Sequence, residues 1–102
     1  MSQIQVSKLD PDILHSIFQM AHSLIQSQKF QEAIECLKPV LHAQPNNFHA
    51  QYNTAYCLRK LKKYQESLEH FSKILESDPE NSYAKNNIKY IKKIALEDMN
   101  HD

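Results

Sequence analysis

The segments KFQEAIECL, residues 29–37, and KYQESLEHF, residues 63–71, put nearly the same phrase into one short chain at an offset of 34 residues. The register extends well beyond them. Lys29, Gln31, Glu32, Glu35, Leu41, Pro45 and Asn47 recur as Lys63, Gln65, Glu66, Glu69, Leu75, Pro79 and Asn81. Phe30/Tyr64, Ala33/Ser67, Ile34/Leu68, Leu37/Phe71 and Val40/Ile74 exchange like for like, and upstream His15, Phe18, Ala21 and Leu24 pair with His49, Tyr52, Ala55 and Leu58. A fixed period of about 20–50 residues predicts one supersecondary unit stacked on its copy, because a single unit leaves an apolar face uncovered.

Within each unit the apolar period is helical. Ile17, Met20, Ala21, Leu24 and Ile25 form one amphipathic stripe, and Ala33, Ile34, Leu37, Val40 and Leu41 form a second. Asp10-Pro11-Asp12 supplies a capping carboxylate, a first-turn proline and an acid at the positive end of the helix dipole. Pro45 and Pro79, each followed closely by asparagine, end the second helix of a unit and reset the chain. These signals predict helices near 11–27, 30–43, 47–61, 64–77 and 81–97. Pro39 falls inside a stripe, where proline costs about 3 kcal/mol, so the second helix is expected to bend or break there. The chain has no glycine, which suits near-continuous helix. That absence removes phosphate-cradling loops and nucleotide fingerprints, and it argues against tight positive-φ turns.

Composition bounds the rest. A chain of 102 residues makes one small domain. Its 41% hydrophobic and 24% charged residues fit a globular protein and not a disordered one. Twelve basic residues balance twelve acidic ones, so no global field draws the chain to nucleic acid or an anionic membrane. The N-terminal MSQIQVSKLDPD lacks a secretory pattern, and no apolar run approaches the roughly 20 residues of a membrane span. A cytoplasmic protein is expected. Cys36 and Cys57 are too few and too separated for a disulfide scaffold or a CxxC pair, and they read as reduced, semi-buried thiols.

These residues resemble the tetratricopeptide repeat, a 34-residue helix–turn–helix unit with small residues at positions 8 and 20, an aromatic at 17, a large apolar at 24 and proline at 32. Ala21, Phe30, Ala33, Leu37 and Pro45 fill those positions in a unit starting at Leu14, and Ala55, Tyr64, Ser67, Phe71 and Pro79 in one starting at Phe48. The resemblance covers Leu14 to Asn81 and implies an all-α fold: a short right-handed helical solenoid of antiparallel helix hairpins. It divides the chain into an N-terminal extension at 1–10, a repeat domain at 11–97 and a tail at 98–102. Within the domain, repeat one spans about 14–47, repeat two about 48–81 and a capping helix about 82–97. Lys89 occupies position 8 of an incipient third unit, where a tight crossing cannot hold it. Ile88, Ile91 and Ala95 against Lys85, Lys89, Lys92 and Lys93 instead suggest a polar-backed cap. Gln51 and Thr54 stand where the family favours large apolar residues, implying a looser first helix in unit two. Ile4, Val6 and Leu9 are candidates to fold back over the uncovered first helix.

Chemistry beyond binding has weak support. His15 and His22, seven apart, share a helix face, but metal ligands favour closer pairs with a third donor, and HExxH is absent. No metal or other cofactor is expected. Cys57 falls where the family packs small residues, so a Cys–His nucleophile is not expected. Glu32/Glu35 and Glu66/Glu69 lie near helix starts, where acids stabilise the dipole without a catalytic role. Arg59, Lys60, Lys62 and Lys63 interleave with acids in the basic C-terminal half, which reads as a solvated face. The chain is not expected to be an enzyme, to take a small-molecule substrate or to bind a membrane.

The resemblance implies a concave groove lined by the first helix of each unit. The family's groove positions fall on His15, Phe18, Gln19, His22, Ile25 and Gln26, then on His49, Tyr52, Asn53, Tyr56, Arg59 and Lys60. The terminal helix adds Tyr83, Asn86, Asn87, Tyr90 and Lys93. From these, Phe18, Gln19, His22, Tyr52, Asn53, Tyr56, Arg59, Lys60, Asn87 and Tyr90 are the candidate peptide-binding set. Aromatics beside Asn and Arg have the composition of recognition surfaces. The family's chaperone-binding branch holds a C-terminal carboxylate with a clamp whose positions here are Phe18, His22, Asn53, Tyr83 and Asn87. Only Asn53 matches, which argues against that clamp. The expected function is a non-enzymatic interaction module or adaptor that binds a peptide segment or helix of another protein. The alternative is a structural assembly subunit, or a chaperone-like repeat protein, acting through homodimerisation or end-face contacts. A nucleic-acid partner is a third reading, disfavoured by the neutral charge.

Overall fold

The computed structural model describes residues 9–100. Its elements are α1 (Pro11–Gln26), α2 (Phe30–Ala43), α3 (Phe48–Lys60), α4 (Tyr64–Ser77) and α5 (Ser82–Met99), with no strand among the described residues. Each helix packs on its sequence neighbour, α1 on α2 through to α4 on α5, the arrangement of a helical repeat solenoid.

Local chemistry recurs with the repeat. Asn47 and Asn81 cap α3 and α5, their side-chain oxygens accepting from Ala50 N at 3.0 Å and Ala84 N at 2.9 Å. Asp10 does the same for α1, accepting from Asp12 N at 2.8 Å. The C-termini of α1 and α3 also match. Gln28 N–H donates to Ile25 O and Lys29 N–H to Leu24 O, while Lys62 and Lys63 donate to Arg59 O and Leu58 O, all within 2.8–2.9 Å. This is the Schellman closure, which needs a left-handed residue. Gln28 and Lys62 supply it, each at φ 61°. The expectation that a glycine-free chain avoids positive φ is therefore wrong. The left-handed conformation costs a non-glycine residue roughly 1–2 kcal/mol, and two closing hydrogen bonds to otherwise orphaned carbonyls offset it at both turns.

The core follows the small-residue pattern. Ala21, Ala33, Leu37, Ala55, Ser67 and Phe71 are all fully buried. At the second crossing the Ser67 hydroxyl donates to the Ala55 carbonyl at 2.7 Å, so α3 and α4 meet with backbone and hydroxyl in contact. Phe71 and Ile74 of α4 join Ala55, Ala84 and Ile91 in one cluster across three helices. Ala33, Ile34, Cys57 and Leu58 form the other, flanked by Leu24, Ile25 and Phe30. On α5, Ile91 is buried and Ile88 and Ala95 half-buried, whereas Lys85, Lys89, Lys92 and Lys93 are exposed.

Three further expectations need correction. α2 runs through Pro39 as one helix rather than breaking. Pro39 is exposed while Leu37 and Val40 beside it are buried, so the carbonyl it frees is left on the hydrated side and packing holds the ladder on the other. Met20 is 59% exposed and does not join the core stripe, because among the described residues no helix packs on that side of α1. Nor is α3 loose. Gln51 and Thr54 are buried, and Gln51 spends its amide on defined partners, with Nε2–H donating to Pro45 O at 2.6 Å and Oε1 accepting from His70 Nδ1–H at 2.6 Å. A fold-back of Ile4 and Val6 concerns positions outside the described residues, and Leu9 is half-buried.

The Gln51–His70 bond makes a pH test. Burial holds the His70 imidazole below its ordinary value, reinforced by Lys73 and opposed by Glu69 and Glu66. The unfolded chain then accepts a proton near pH 6.5 that the native chain refuses until lower pH. Stability from neutral His70 is present above about pH 6.5 and is lost as pH falls through the folded value. Urea midpoints measured between about pH 7 and 5 should fall more steeply for wild type than for His70→Gln. Parallel slopes would show that His70 is not the group responsible.

Candidate functional site

One side of the molecule carries the first helices of the successive pairs, α1, α3 and α5, and three open clefts lie along it. Between α1 and α3 a cleft of about 400 Å³ is lined by His15, Phe18, Gln19, His22, His49 and Asn53. His49 and Asn53 also line the next, about 380 Å³, with Phe48, Tyr52 and Tyr83. A third, about 280 Å³, is lined by Arg59, Asn86, Asn87 and Tyr90. The first two share His49 and Asn53 and so lie side by side across three helices.

Aromatic edges build this face. Phe18 meets His49 with ring centroids 6.0 Å apart, and Tyr52 meets Tyr83 at 6.0 Å, both near-perpendicular. Each contact crosses between repeats, which fixes the width of the trough. Tyr52 is half-buried, wedged between Phe48 at 5.7 Å and Phe71 at 5.9 Å, so part of its ring belongs to the core. The Arg59 guanidinium carbon lies 5.1 Å from the Tyr56 ring centre and 4.9 Å from that of Tyr90, holding α3 to α5.

The ten candidate residues separate into groups. Phe18, Gln19, His22 and Asn53 share the first cleft, Tyr52 and Asn53 the second, and Arg59, Asn87 and Tyr90 the third. Tyr56 stands beneath Arg59, edge-on to Phe30 at 6.3 Å, and Lys60 leans over the same Phe30 ring at 6.0 Å. Those two α3 side chains pack against the start of α2 and line none of the three clefts. Ile25 packs beside the Cys57 cluster, so its position serves the core. Phe48 lines the second cleft although it lies outside the carried-over groove positions. A fourth cleft, about 290 Å³ and on a different side, is lined by Asn46, Phe48, Gln51, Lys73, Ile74, Ser77, Asp78 and Asn81. No local pattern announces it, because the end of α4 and the turns flanking α3 and α5 create it jointly.

The remaining reactive groups are quiet. Burial pushes the Cys57 thiol up to about 11 and raises Cys36, whose S–H donates to Ile17 O at 3.6 Å, so neither is a ready thiolate. Hydrogen bonds from Lys38 and Gln31 hold the exposed Glu35 carboxyl below its ordinary range. Among the described residues no three His, Cys, Asp or Glu side chains converge to hold a metal ion. No helix among them is long and apolar enough to cross a membrane.

A family model described as tetratricopeptide repeat matches residues 18–82. That span holds the whole of α2, α3 and α4, the length from Phe18 in α1 to the start of α5, and both copies of the repeated phrase. No curated protein matches the sequence significantly.

Proposed function

Because the chain belongs to the tetratricopeptide repeat family, whose repeats generally mediate protein–protein interaction without catalysis, we propose that it is an adaptor that takes a partner segment along the α1–α3–α5 face. The adjoining clefts that run from Phe18 to Tyr83, with His49 and Asn53 common to both, carry this reading as a shallow trough. Its rings present rigid apolar area, and the Asn53 and Gln19 amides supply donors and acceptors for a peptide backbone. Stacked helix pairs hold the trough open before the partner arrives, so ordering entropy falls on the partner.

The test is selection of binding peptides from a random display library, followed by mapping of backbone and side-chain amide shifts. Shifts concentrated on Gln19, Asn53 and their helix faces support the reading. Shifts on the outer side of α2 and α4 would overturn it.

A second reading rests on Ile13 and Met20, 54% and 59% exposed on α1. This apolar ridge on the first described helix suits an assembly subunit that contacts a second copy. Sedimentation equilibrium of wild type against Met20→Glu decides it. A dimer lost in the variant supports assembly, and a folded monomer in both supports the adaptor.

A further inference from the structure

We infer that the Arg59 cleft is a receptor for one carboxylate side chain of the bound partner segment, which rests on the docking reading above and gives it a chemical specificity. Arg59 is half-buried and its Nε–H is fully covered with no hydrogen-bond acceptor. Among the described residues no carboxylate lies within ion-pair distance of it; Asp98 is engaged by the Tyr64 hydroxyl at 2.7 Å and by Lys62 at 3.9 Å. A guanidinium with ordered rings near it and no counter-charge has already lost most of its side-chain freedom, while its remaining N–H groups keep their capacity to bind an anion. Carboxylate matches that fork in two parallel hydrogen bonds.

The surroundings select among anions. The third cleft adds only the neutral amides Asn86 and Asn87, and Asn87 Nδ2–H is already donated to Tyr83 O at 2.8 Å. Neither of the other two clefts contains lysine or arginine. A nucleic-acid strand needs a row of cations to follow its phosphates, and among the described residues the three clefts are lined by one arginine and no lysine beside an aromatic and amide trough. The complementary partner is an extended segment with a single Asp or Glu next to apolar residues.

Display selection against wild type, Arg59→Gln and Arg59→Glu tests this, with the random peptides placed internally so that no free C-terminus is offered. The expected motif fixes Asp or Glu at one position for wild type, loses only that preference for Arg59→Gln, and changes to Lys or Arg for Arg59→Glu. A wild-type-selected peptide should bind Arg59→Gln about tenfold or more weakly. An enriched motif without an acid, or one whose acid survives Arg59→Gln, overturns the carboxylate receptor and leaves the docking face standing. No enriched motif overturns the docking reading and this inference with it. In a parallel titration the Arg59 Nη–H resonances should shift saturably with sodium acetate and not with sodium chloride at equal ionic strength. Equal shifts in both salts, or stronger saturation by oligouridylate than by acetate, overturn it.

Discussion

Truncating Phe71 to alanine is expected to lower stability by about 3–5 kcal/mol, a large part of the roughly 5–15 kcal/mol that holds a domain of this size. Phe71 is fully buried and belongs to a cluster with residues of α3, α4 and α5, its ring edge-on to Tyr52 at 5.9 Å. Helix α5 contacts the body of the solenoid mainly through α4. The cavity therefore opens where the last helix is anchored, and end units of a repeat array are held by one interface only. Hydrogen exchange should show α5 losing protection before α1 and α2, and the urea midpoint should fall. An unchanged midpoint, or uniform loss of protection, would count against Phe71 as the anchor of the last helix.

Ala55→Leu is expected to cost toward the upper end of roughly 1–3 kcal/mol, by overpacking and not by leaving a cavity. Ala55 has no exposed surface, and its own carbonyl accepts the Ser67 hydroxyl at 2.7 Å. A leucine there must push α3 off α4, which breaks that bond and leaves a buried hydroxyl unsatisfied. Ala21→Leu at the matching position of unit one should cost less, since Ala33, opposite it in the repeat, has no side-chain hydroxyl bond to break. Equal thermal midpoints for wild type and Ala55→Leu would refute the close crossing. The two variants at Phe71 and Ala55 should also combine non-additively, because both side chains lie in the same cluster.

The candidate face was readable only in part, for a reason visible in particular residues. A period of 34 assigns Tyr52 and Arg59 to the first helix of unit two, and so to the side that α1 and α5 also present. It does not say that Tyr52 leans on Phe71 while Arg59 stands between two tyrosines. Tyr56 and Lys60 share that helix, yet both turn to Phe30 at the hairpin, because α2 begins beside them.

What the sequence alone determined is the repeat, the five helices, the Asp10 cap of α1 and the identity of the buried small residues. These depend on interactions within a few residues or on a period, and both are written along the chain. Tertiary structure decided the rest: that Pro39 is carried by an unbroken helix, that Met20 is largely exposed, that Gln51 is locked to His70, and that Arg59 has no counter-charge among the described residues. Each of these depends on which groups from distant segments arrive at one point, and burial, pairing and desolvation exist only once the helices have stacked.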